Sequence, residues 1–451
     1  ITLRTVLLVQ TVKTASELVS FTRQNTVRRR TKNLSDKKIK VLTLSDHPHM
    51  PSGVATQTKY VIEALLATNK FEVYSLGGAI KHNNYDIHKV NENWTVEPVD
   101  GYGNQQKIRE LLKTFRPDMI WFMTDPRFYE WLWDIEDEVR EHVPIVYYHV
   151  WDNYPYPKFN KRFYSSTDAI ATISKVTSDI VQTVSPEVME KYAPHAVNTD
   201  LFKKVTDPKA LQQINDQKRQ LNLENKFVFL WNNRNARRKQ SGSLIFWFKK
   251  FLDEVGKDKA SLILHTAPRD ENGQPLDYIA HELGMGSGEV IFSTEKFPLD
   301  VLPIFYNTAD CVVNIADAEG FGLSSLEALA CEIPVINTMT GGLQEQVYDG
   351  ENFFGIGLYP TSKSIIGSQQ VPFIYEDRLS EEVVVEAFKK MYNMPLEERQ
   401  ALGKKGREHV MKNYNFENFN EFWPSFLTEV HEKFGSWDTR KGYTKWEIEE
   451  L

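Results

Sequence analysis

The stretch that most constrains the fold is residues 309–345, which read ADCVVNIADAEGFGLSSLEALACEIPVINTMTGGLQE. Residues 311–315 form a short apolar, β-branched run of the kind that a strand buried on both faces needs. Leu323, Leu326 and Ala330 then recur at helical spacing after a loop with two glycines. The stretch therefore predicts a strand, a glycine loop and a helix, as in a parallel α/β sheet.

The glycine loop predicts a phosphate-binding site. Backbone N–H groups at the start of such a helix point into the crevice at the carboxyl end of the strand, where phosphates bind well, and Gly320 and Gly322 let a ligand approach. Glu327 lies about four residues into the helix, so its carboxylate is about 6 Å from the phosphate-binding end, within reach of a ribose. Glu319 would face the far side of a diphosphate, where a donated sugar lies. The alternative for Glu327 is a solvated position on the polar face of an amphipathic helix.

The chain closely resembles the retaining GT-B glycosyltransferases of family four in the two glutamates with Gly-Phe-Gly between them, then Pro334-Val-Ile-Asn-Thr and Gly341-Gly342-Leu-Gln-Glu345. The resemblance runs from about Lys38 to about Phe426. It implies an α/β fold with two Rossmann-like, doubly wound parallel-sheet domains facing a cleft, and a C-terminal helix that crosses back to the first domain. The predicted segments are a basic extension (1–37), an acceptor-side domain (38–198), a nucleotide-sugar-binding domain (199–412), and a crossover helix with a tail (413–451).

Charge and cysteine content bound the partners and the compartment. The net charge is −7, so the molecule as a whole is not expected to bind a polyanion. Only Cys311 and Cys331 occur, which excludes a disulfide scaffold and a thiolate zinc site and favours core positions in a reducing compartment. The chain has no run of eighteen apolar residues, and residues 1–10 lack a convincing secretion signal. A cytoplasmic protein is therefore predicted.

The N-terminal segment departs from the acidic average. Residues 1–40 carry ten Lys or Arg against two acidic residues. Its cluster of Arg28, Arg29 and Arg30 suits a peripheral contact with acidic lipid headgroups or nucleic-acid phosphate. The alternative is a solvated arm with no partner.

Alternating apolar strands and amphipathic helices predict two parallel, doubly wound sheets. The predicted strands of the first half are residues 39–44, 71–75, 118–123, 145–149 and 169–173. Those of the second half are residues 227–231, 261–266, 289–293 and 311–315. Helices are predicted over residues 54–67, 212–225, 276–283, 381–392 and 396–412. Residues 359–375 have little periodicity and predict an insertion or a mobile loop.

Arg234 and Lys239 follow the predicted strand 227–231 and resemble the basic pair that this family directs at the donor diphosphate. Cations there stabilise the negative charge that grows on the leaving diphosphate. Arg237 or Arg238 is an alternative for either cation, and a basic surface turn is the alternative for the whole group. The chain contains no Asp-x-Asp triplet, so neither a metal nor another cofactor is expected beside the nucleotide sugar, which is a co-substrate.

The resemblance implies further site residues. The catalytic residues implied are His149, Glu319, Arg234 and Lys239. The donor-binding residues implied are Gly53, Arg234, Lys239, Gly320, Phe321, Gly322, Leu323, Ser324 and Glu327. His149 resembles the family's active-site histidine, which would orient the sugar or shuttle a proton; a purely structural histidine is the alternative. The loop after it predicts either an acceptor-binding surface or a packed loop. Its candidate acceptor residues are Trp151, Asp152, Tyr154 and Tyr156. Loop 293–297 would flank the nucleobase.

These features predict a retaining, metal-independent glycosyltransferase that moves a hexose from a UDP- or GDP-sugar to an acceptor hydroxyl. No carboxylate nucleophile is evident on the opposite face of the sugar, which favours same-face attack assisted by the leaving phosphate. A glycan or glycolipid is the expected acceptor. The alternatives are transfer to a modified nucleic acid or a protein, a nucleotide-sugar epimerase of the same fold, and a binding module without turnover.

Overall fold

The computed structural model describes residues 37–445. The predicted basic extension, with Arg28, Arg29 and Arg30, and the last six residues of the tail lie outside this part of the chain. No helix within residues 37–445 combines the length and the apolar character that crossing a bilayer requires.

The first half of the described chain builds an eight-stranded sheet. Its elements are β1 (Ile39–Asp46), α1 (Gly53–Ala67), β2 (Phe71–Gly78), β3 (His88–Asn91), β4 (Trp94–Pro98), α2 (Gln105–Thr114), β5 (Met119–Thr124), α3 (Glu130–Trp133), α4 (Glu136–Arg140), β6 (Ile145–His149), α5 (Lys161–Ser165), β7 (Ala169–Thr172), α6 (Lys175–Val184) and β8 (Met189–Tyr192). The strand order is β3-β4-β2-β1-β5-β6-β7-β8, and only β3 runs antiparallel to its neighbour. The carboxyl ends of the parallel strands therefore share one edge.

The second half builds a six-stranded sheet and a hairpin. Its elements are α7 (Pro208–Gln220), β9 (Phe227–Asn232), α8 (Ser241–Val255), β10 (Ala260–His265), α9 (Leu276–Glu282), β11 (Val290–Ser293), α10 (Leu302–Tyr306), β12 (Cys311–Asn314), α11 (Leu323–Ala330), β13 (Val335–Thr338), α12 (Gln344–Val347), β14 (Gly355–Leu358), β15 (Ser362–Ile366), β16 (Ile374–Arg378), α13 (Glu381–Asn393), α14 (Leu396–Asn413) and α15 (Phe416–Phe434). The sheet order is β11-β10-β9-β12-β13-β14, and all its pairs are parallel.

The predicted strands all exist and match the observed strands to within three residues at either end. The helix predicted over residues 212–225 lies earlier in the chain, at Pro208–Gln220. Asp207 caps it by accepting a hydrogen bond from the backbone N–H of Ala210, and the fixed backbone angle of Pro208 suits the first helical position. The predicted core positions of Cys311 and Cys331 are confirmed, because both thiols are free and buried.

Of the two alternatives for residues 359–375, the irregular loop is wrong, because the segment contributes to a β-hairpin, while the insertion stays a prediction. Strands β15 and β16 pair in antiparallel register from Ser362 with Arg378 to Ile366 with Ile374. The tip of this hairpin packs Val371 and Ile374 into a hydrophobic cluster of the first half. The strands are thus stabilised by their partner and by this distant contact, neither of which leaves a periodic pattern in the segment itself.

The last long helix crosses back to the first half, as the resemblance implied. Helix α15 packs along α1, and the ring centroids of Phe416 and Tyr60 are 4.7 Å apart. Trp423 is fully buried, with its ring centroid 4.6 Å from that of Tyr148 and 5.9 Å from that of Trp121. The hydrophobic cluster around it includes residues of both sheets.

Candidate active site

The glycine loop between β12 and α11 has a backbone shape that requires glycine. Gly322 is the N-cap of α11 with φ of 93°, a left-handed conformation that favours glycine. Gly341 has φ of 47°, and a Cβ there would lie 1.8 Å from the carbonyl oxygen of Glu319. The backbone N–H of Gly342 donates to that same oxygen at 3.0 Å. Residues 341–342 thus hold the loop that carries Glu319 in place.

Two cations reach this loop from the turn after β9. Lys239 and Glu319 are both buried, and the Lys239 ammonium forms an ion pair with the Glu319 carboxylate. The Arg238 guanidinium has Nη1 at 3.7 Å from Oε2 of Glu319 and donates to the carbonyl oxygen of Ala318 at 2.9 Å. The helix start, the basic side chains of Lys239 and Arg238 and one carboxylate therefore converge at one point, although burial and the neighbouring Arg238 lower the pKa of Lys239.

Arg234 does not join this group. Its side chain is 62% exposed, and its Nε and Nη2 donate to the two carboxylate oxygens of Asp270 at 2.8 and 3.1 Å. The guanidinium holds the pKa of Asp270 below its ordinary value. The structure thus brings Lys239 and Arg238 together at the loop, while the predicted partner Arg234 is bound elsewhere.

Glu327 lies in the second turn of α11 and is oriented by a buried tyrosine. The hydroxyl of Tyr306 donates to Oε2 of Glu327 at 2.6 Å and accepts from the Asn232 side-chain amide at 2.8 Å. Burial raises the pKa of Glu327 to about 7. These contacts do not fit the alternative of a freely solvated glutamate. Tyr306 was not predicted from the sequence. It lies 21 positions before Glu327 in an apolar segment.

His149 is fully buried at the carboxyl end of β6. Its Nε2 lies 2.7 Å from the Tyr164 hydroxyl, and its Nδ1 has no hydrogen-bond partner in the described structure. Burial lowers the pKa of His149 to about 3, so the imidazole is neutral at pH 7. The site therefore supports hydrogen bonding by this ring and disfavours an imidazolium that carries a proton.

The two halves touch across the site. A Cβ placed on Gly53, the first residue of α1, would lie 2.9 Å from Cδ1 of Leu323 at the start of α11. A Cβ on Gly320 would lie 3.3 Å from the backbone oxygen of Trp151. The predicted donor residues Gly53, Gly320 and Leu323 are thus gathered at the contact between the two halves.

Phe321 and Ser324 complete the predicted donor segment. The Phe321 ring centroid lies 4.8 Å from that of His195 in the first half, and its backbone oxygen accepts from the Gln346 side chain at 2.6 Å. Ser324 is half-buried in the first turn of α11. Phe321 therefore anchors the loop by packing, and its aromatic ring points toward protein.

The predicted acceptor loop is largely packed. Trp151 is 6% exposed, and its Nε1 donates to the Asn153 backbone oxygen at 2.9 Å. Asp152 pairs with Nε of Arg238 at 3.0 Å, which ties this loop to the cations of the second half.

The two tyrosines of that loop face the hairpin. The Tyr154 backbone oxygen accepts from the N–H of Tyr375 in β16 at 2.6 Å, and Tyr156 lies beside Tyr154 with ring centroids 6.1 Å apart. Trp151 therefore fits the alternative of a packed loop. Tyr154 and Tyr156 are half-buried, so part of each side chain stays exposed.

An aromatic pair lies beside loop 293–297. The rings of His265 and Phe297 stack with centroids 4.8 Å apart and planes 8° from parallel. Nδ1 of His265 lies 2.9 Å from the Ser293 hydroxyl, and burial lowers the pKa of this histidine to about 4. The pair is neutral at pH 7 and offers flat surfaces of the kind on which a base stacks.

Comparison with known families matches residues 212–409 to the family described as glycosyl transferases group 1. A GDP-mannose-dependent alpha-(1-6)-phosphatidylinositol monomannoside mannosyltransferase of Mycolicibacterium smegmatis is 29% identical over 199 residues, which cover 42% of this chain and 49% of that protein. A D-inositol 3-phosphate glycosyltransferase of Acidothermus cellulolyticus is 37% identical over 87 residues, 19% of each chain. The chain thus spans about half the length of the first relative and about a fifth of the second.

Solved structures share the whole two-sheet architecture. Sucrose-phosphate synthase from Thermosynechococcus elongatus has a TM-score of 0.69 at 18% identity, covering 88% of this chain and all of that one. HepE of Anabaena in complex with UDP and glucose has a TM-score of 0.62 at 16% identity and covers 87% of this chain and all of that one. At these identities the likeness establishes the fold.

Proposed function

We propose that this chain, whose residues 212–409 match the group 1 glycosyltransferase family, moves a sugar from a nucleoside diphosphate to an acceptor hydroxyl. The observation that carries the proposal is the convergence of Lys239, Arg238 and Glu319 at the start of α11, with Glu327 in the next turn. This arrangement offers cations for phosphates and carboxylates for sugar and ribose hydroxyls.

The donor diphosphate would bind at the first backbone N–H groups of α11 and compete with Glu319 for Lys239. The carboxylate released from that ion pair would then accept hydrogen bonds from hydroxyls of the donated sugar. Glu327, held by Tyr306, would accept from the ribose hydroxyls. The stacked His265 and Phe297 would flank the base.

Leaving-group stabilisation would be the main catalytic contribution. Negative charge grows on the diphosphate as the glycosidic bond breaks, and cations already placed there stabilise the transition state more than the ground state. Lys239 and Arg238 have that position, and Arg234 would add to it once released from Asp270. We propose that this charge needs no metal ion.

Retention of configuration would follow from attack on the face that the diphosphate leaves, with a leaving phosphate oxygen taking the acceptor proton. His149 would orient the sugar through Nδ1–H while Nε2 accepts from Tyr164. A neutral ring suits this role, because its pKa of about 3 makes it a weak base that does not take up a second proton at pH 7.

We propose a UDP- or GDP-sugar as donor and a glycan or glycolipid as acceptor. The Mycolicibacterium smegmatis relative is named as GDP-mannose-dependent with a glycolipid substrate, and HepE was solved with UDP and glucose. These names support both nucleotides.

A thermal-shift panel of UDP- and GDP-sugars tests the proposal. A donor at about 100 times its Kd stabilises the folded state by about 2.7 kcal/mol, whereas the free sugar should give no shift. Turnover with candidate acceptors follows, with the anomer assigned by NMR and EDTA added to test for a metal. Conversion of the donor to its epimer without acceptor would instead indicate an epimerase, and no shift with any nucleotide sugar would contradict the proposal.

A further inference from the structure

Four histidines cluster at the edge of the first sheet, outside the groups assigned above. His47 and His49 lie in the loop after β1, His82 follows β2, and His88 begins β3. The ring centroid of His47 is 5.7 Å from that of His49, 5.3 Å from that of His82 and 6.3 Å from that of His88. We call these four residues the histidine cluster.

The cluster concentrates potential positive charge without a carboxylate partner. The histidine–carboxylate pairs within residues 37–445 involve His281 and His431, which lie elsewhere. Lys59 faces His49 and adds a further positive charge, although its ammonium is also 3.8 Å from Glu63. Burial and the three other histidines lower the pKa of His47 to about 4. Protonation of the cluster therefore needs a compensating anion.

The nearby acidic groups are already engaged. Asp46, which precedes His47, accepts hydrogen bonds from Ser52 at 2.7 Å and Tyr102 at 3.1 Å. Asp100 accepts from the Tyr85 hydroxyl at 2.6 Å. Neither carboxylate is directed at the four rings, so an external anion is the natural counter-charge.

Two rings of the cluster are accessible to a ligand, whereas Nδ1 of His47 accepts a hydrogen bond from the backbone N–H of His49 at 3.3 Å. His49 and His88 are exposed, and His47 is half-buried. Nε2 of His82 is buried and has no hydrogen-bond partner within the described structure. No three of these groups are arranged to hold a metal ion in the part of the chain that the structure describes. Rings whose centroids lie 5.3 to 6.3 Å from that of His47 leave room between them for a larger, tetrahedral oxyanion.

The cluster lies on the acceptor side of the proposed donor site. The loop with His47 and His49 leads directly into α1, whose first residue Gly53 contacts Leu323 of the proposed phosphate-binding helix. Beside Tyr154, the hairpin contacts the first half through the backbone N–H of Tyr375. An acceptor entering along the β1 and β2 ends would pass the four histidines.

We propose that the histidine cluster binds a phosphate group of the acceptor, carried either by a sugar phosphate or by a phospholipid headgroup. This inference rests on the proposed function, since an acceptor exists only if the chain transfers a sugar. The phosphate oxygens accept hydrogen bonds from the N–H groups of protonated rings. The negative charge of the phosphate offsets the repulsion among these rings.

The test uses the full chain labelled with [13Cε1]-histidine and follows each ring by NMR against pH. Inorganic phosphate or phosphatidic acid vesicles should raise the pKa of His47, with proton affinity increasing about tenfold. The double variant H49A/H88A should lose this response, and its KM for a phosphorylated acceptor should rise about tenfold. The control variant H281A removes an exposed histidine of the second half and should behave as the unmodified chain.

The outcomes distinguish a sugar phosphate from a phospholipid headgroup. They also distinguish failure of the phosphate site from failure of the proposed sugar transfer. A response to inorganic phosphate assigns a soluble sugar phosphate, and a response to vesicles alone assigns a lipid headgroup. Unchanged histidine titrations with both probes would overturn the cluster as a phosphate site. Donor-induced thermal shifts should persist in H49A/H88A, so a chain that binds the donor but not phosphate refutes only this inference.

Discussion

Lys239 and Arg234 stand five residues apart in similar basic sequence but have different surroundings. We expect K239A to lower kcat by about 10²–10³, because the buried cation at the start of α11 would be lost. R234A should lower kcat less, since this exposed guanidinium is bound to Asp270. Steady-state kinetics with saturating donor measures both.

The variant R238A completes that comparison. Arg238 contacts both Glu319 and Asp152, so we expect its loss to resemble K239A more than R234A. The control R269A removes an exposed arginine that pairs with Asp277 beyond the site. Equal kinetics for K239A and R269A would contradict the assignment of the cations.

The pKa of Glu327 gives donor binding a pH dependence of known sign. Burial raises this pKa to about 7, so the carboxylate is mostly protonated at pH 6 and mostly ionised at pH 8. Because the ribose hydroxyls donate to the ionised form, donor affinity should increase as pH rises through 7. Isothermal titration between pH 6 and 8 measures the change.

Two variants identify the group responsible. E327Q removes the titration, and its weaker donor binding should lose the step near pH 7. Y306F removes the hydroxyl that stabilises the ionised carboxylate and should move the step to higher pH. A step that survives unchanged in E327Q belongs to another group.

The structure brings predicted site residues together where the chain itself sets the geometry. The glycine loop and the first turns of α11 are contiguous, so Glu319, the glycines and Glu327 are brought together by local structure. The partners of Arg234 and Glu327 lie 36 and 21 positions away, at Asp270 and Tyr306. Side-chain pairing over such separations depends on how elements pack, which a single sequence does not show.

Strands too were predicted where the local sequence determines them and missed where pairing with another strand does. Central strands such as β1 and β9 are apolar runs buried on both faces, and the sequence identifies them. Strand β3, with four exposed residues, and the hairpin strand β15 are set by backbone pairing with a neighbour. The side chains of β3 and β15 show little of this backbone pairing, so these two strands were not predicted.

The hairpin of β15 and β16 should order the loop that follows β6. Ile374 is 7% exposed within the core of the first half, whereas Ile365 on the same hairpin is 72% exposed. We expect I374A to release the hairpin and to lower the free energy of unfolding by about 2 kcal/mol. I365A is the matched control and should change it by less than about 0.5 kcal/mol.

Hydrogen exchange locates that effect. The amide of Tyr375, which donates to Tyr154, and the peptides of loop 150–157 should exchange faster in I374A than in I365A. Loss of stability without faster exchange there would mean that the hairpin does not restrain the loop.

The crossing helix α15 joins the molecule into one cooperative core. Trp423 packs against Trp121 and Tyr148 of the first half, and its cluster continues to Val228 and Leu326 of the second. We expect W423A to lower the free energy of unfolding by about 3–5 kcal/mol, because a large buried side chain is replaced by a cavity. Urea unfolding followed by circular dichroism measures the loss.

The conservative variant W423F separates packing from hydrogen bonding. The indole Nε1 of Trp423 has no hydrogen-bond partner in the described structure, so phenylalanine leaves no polar group unpaired and should cost less than about 1.5 kcal/mol. In W423A, amide exchange should rise in β1 and in β9 alike, since both strands border the shared cluster. Faster exchange confined to β1 would show that the two sheets are stabilised separately, with the crossing helix acting on the first sheet alone.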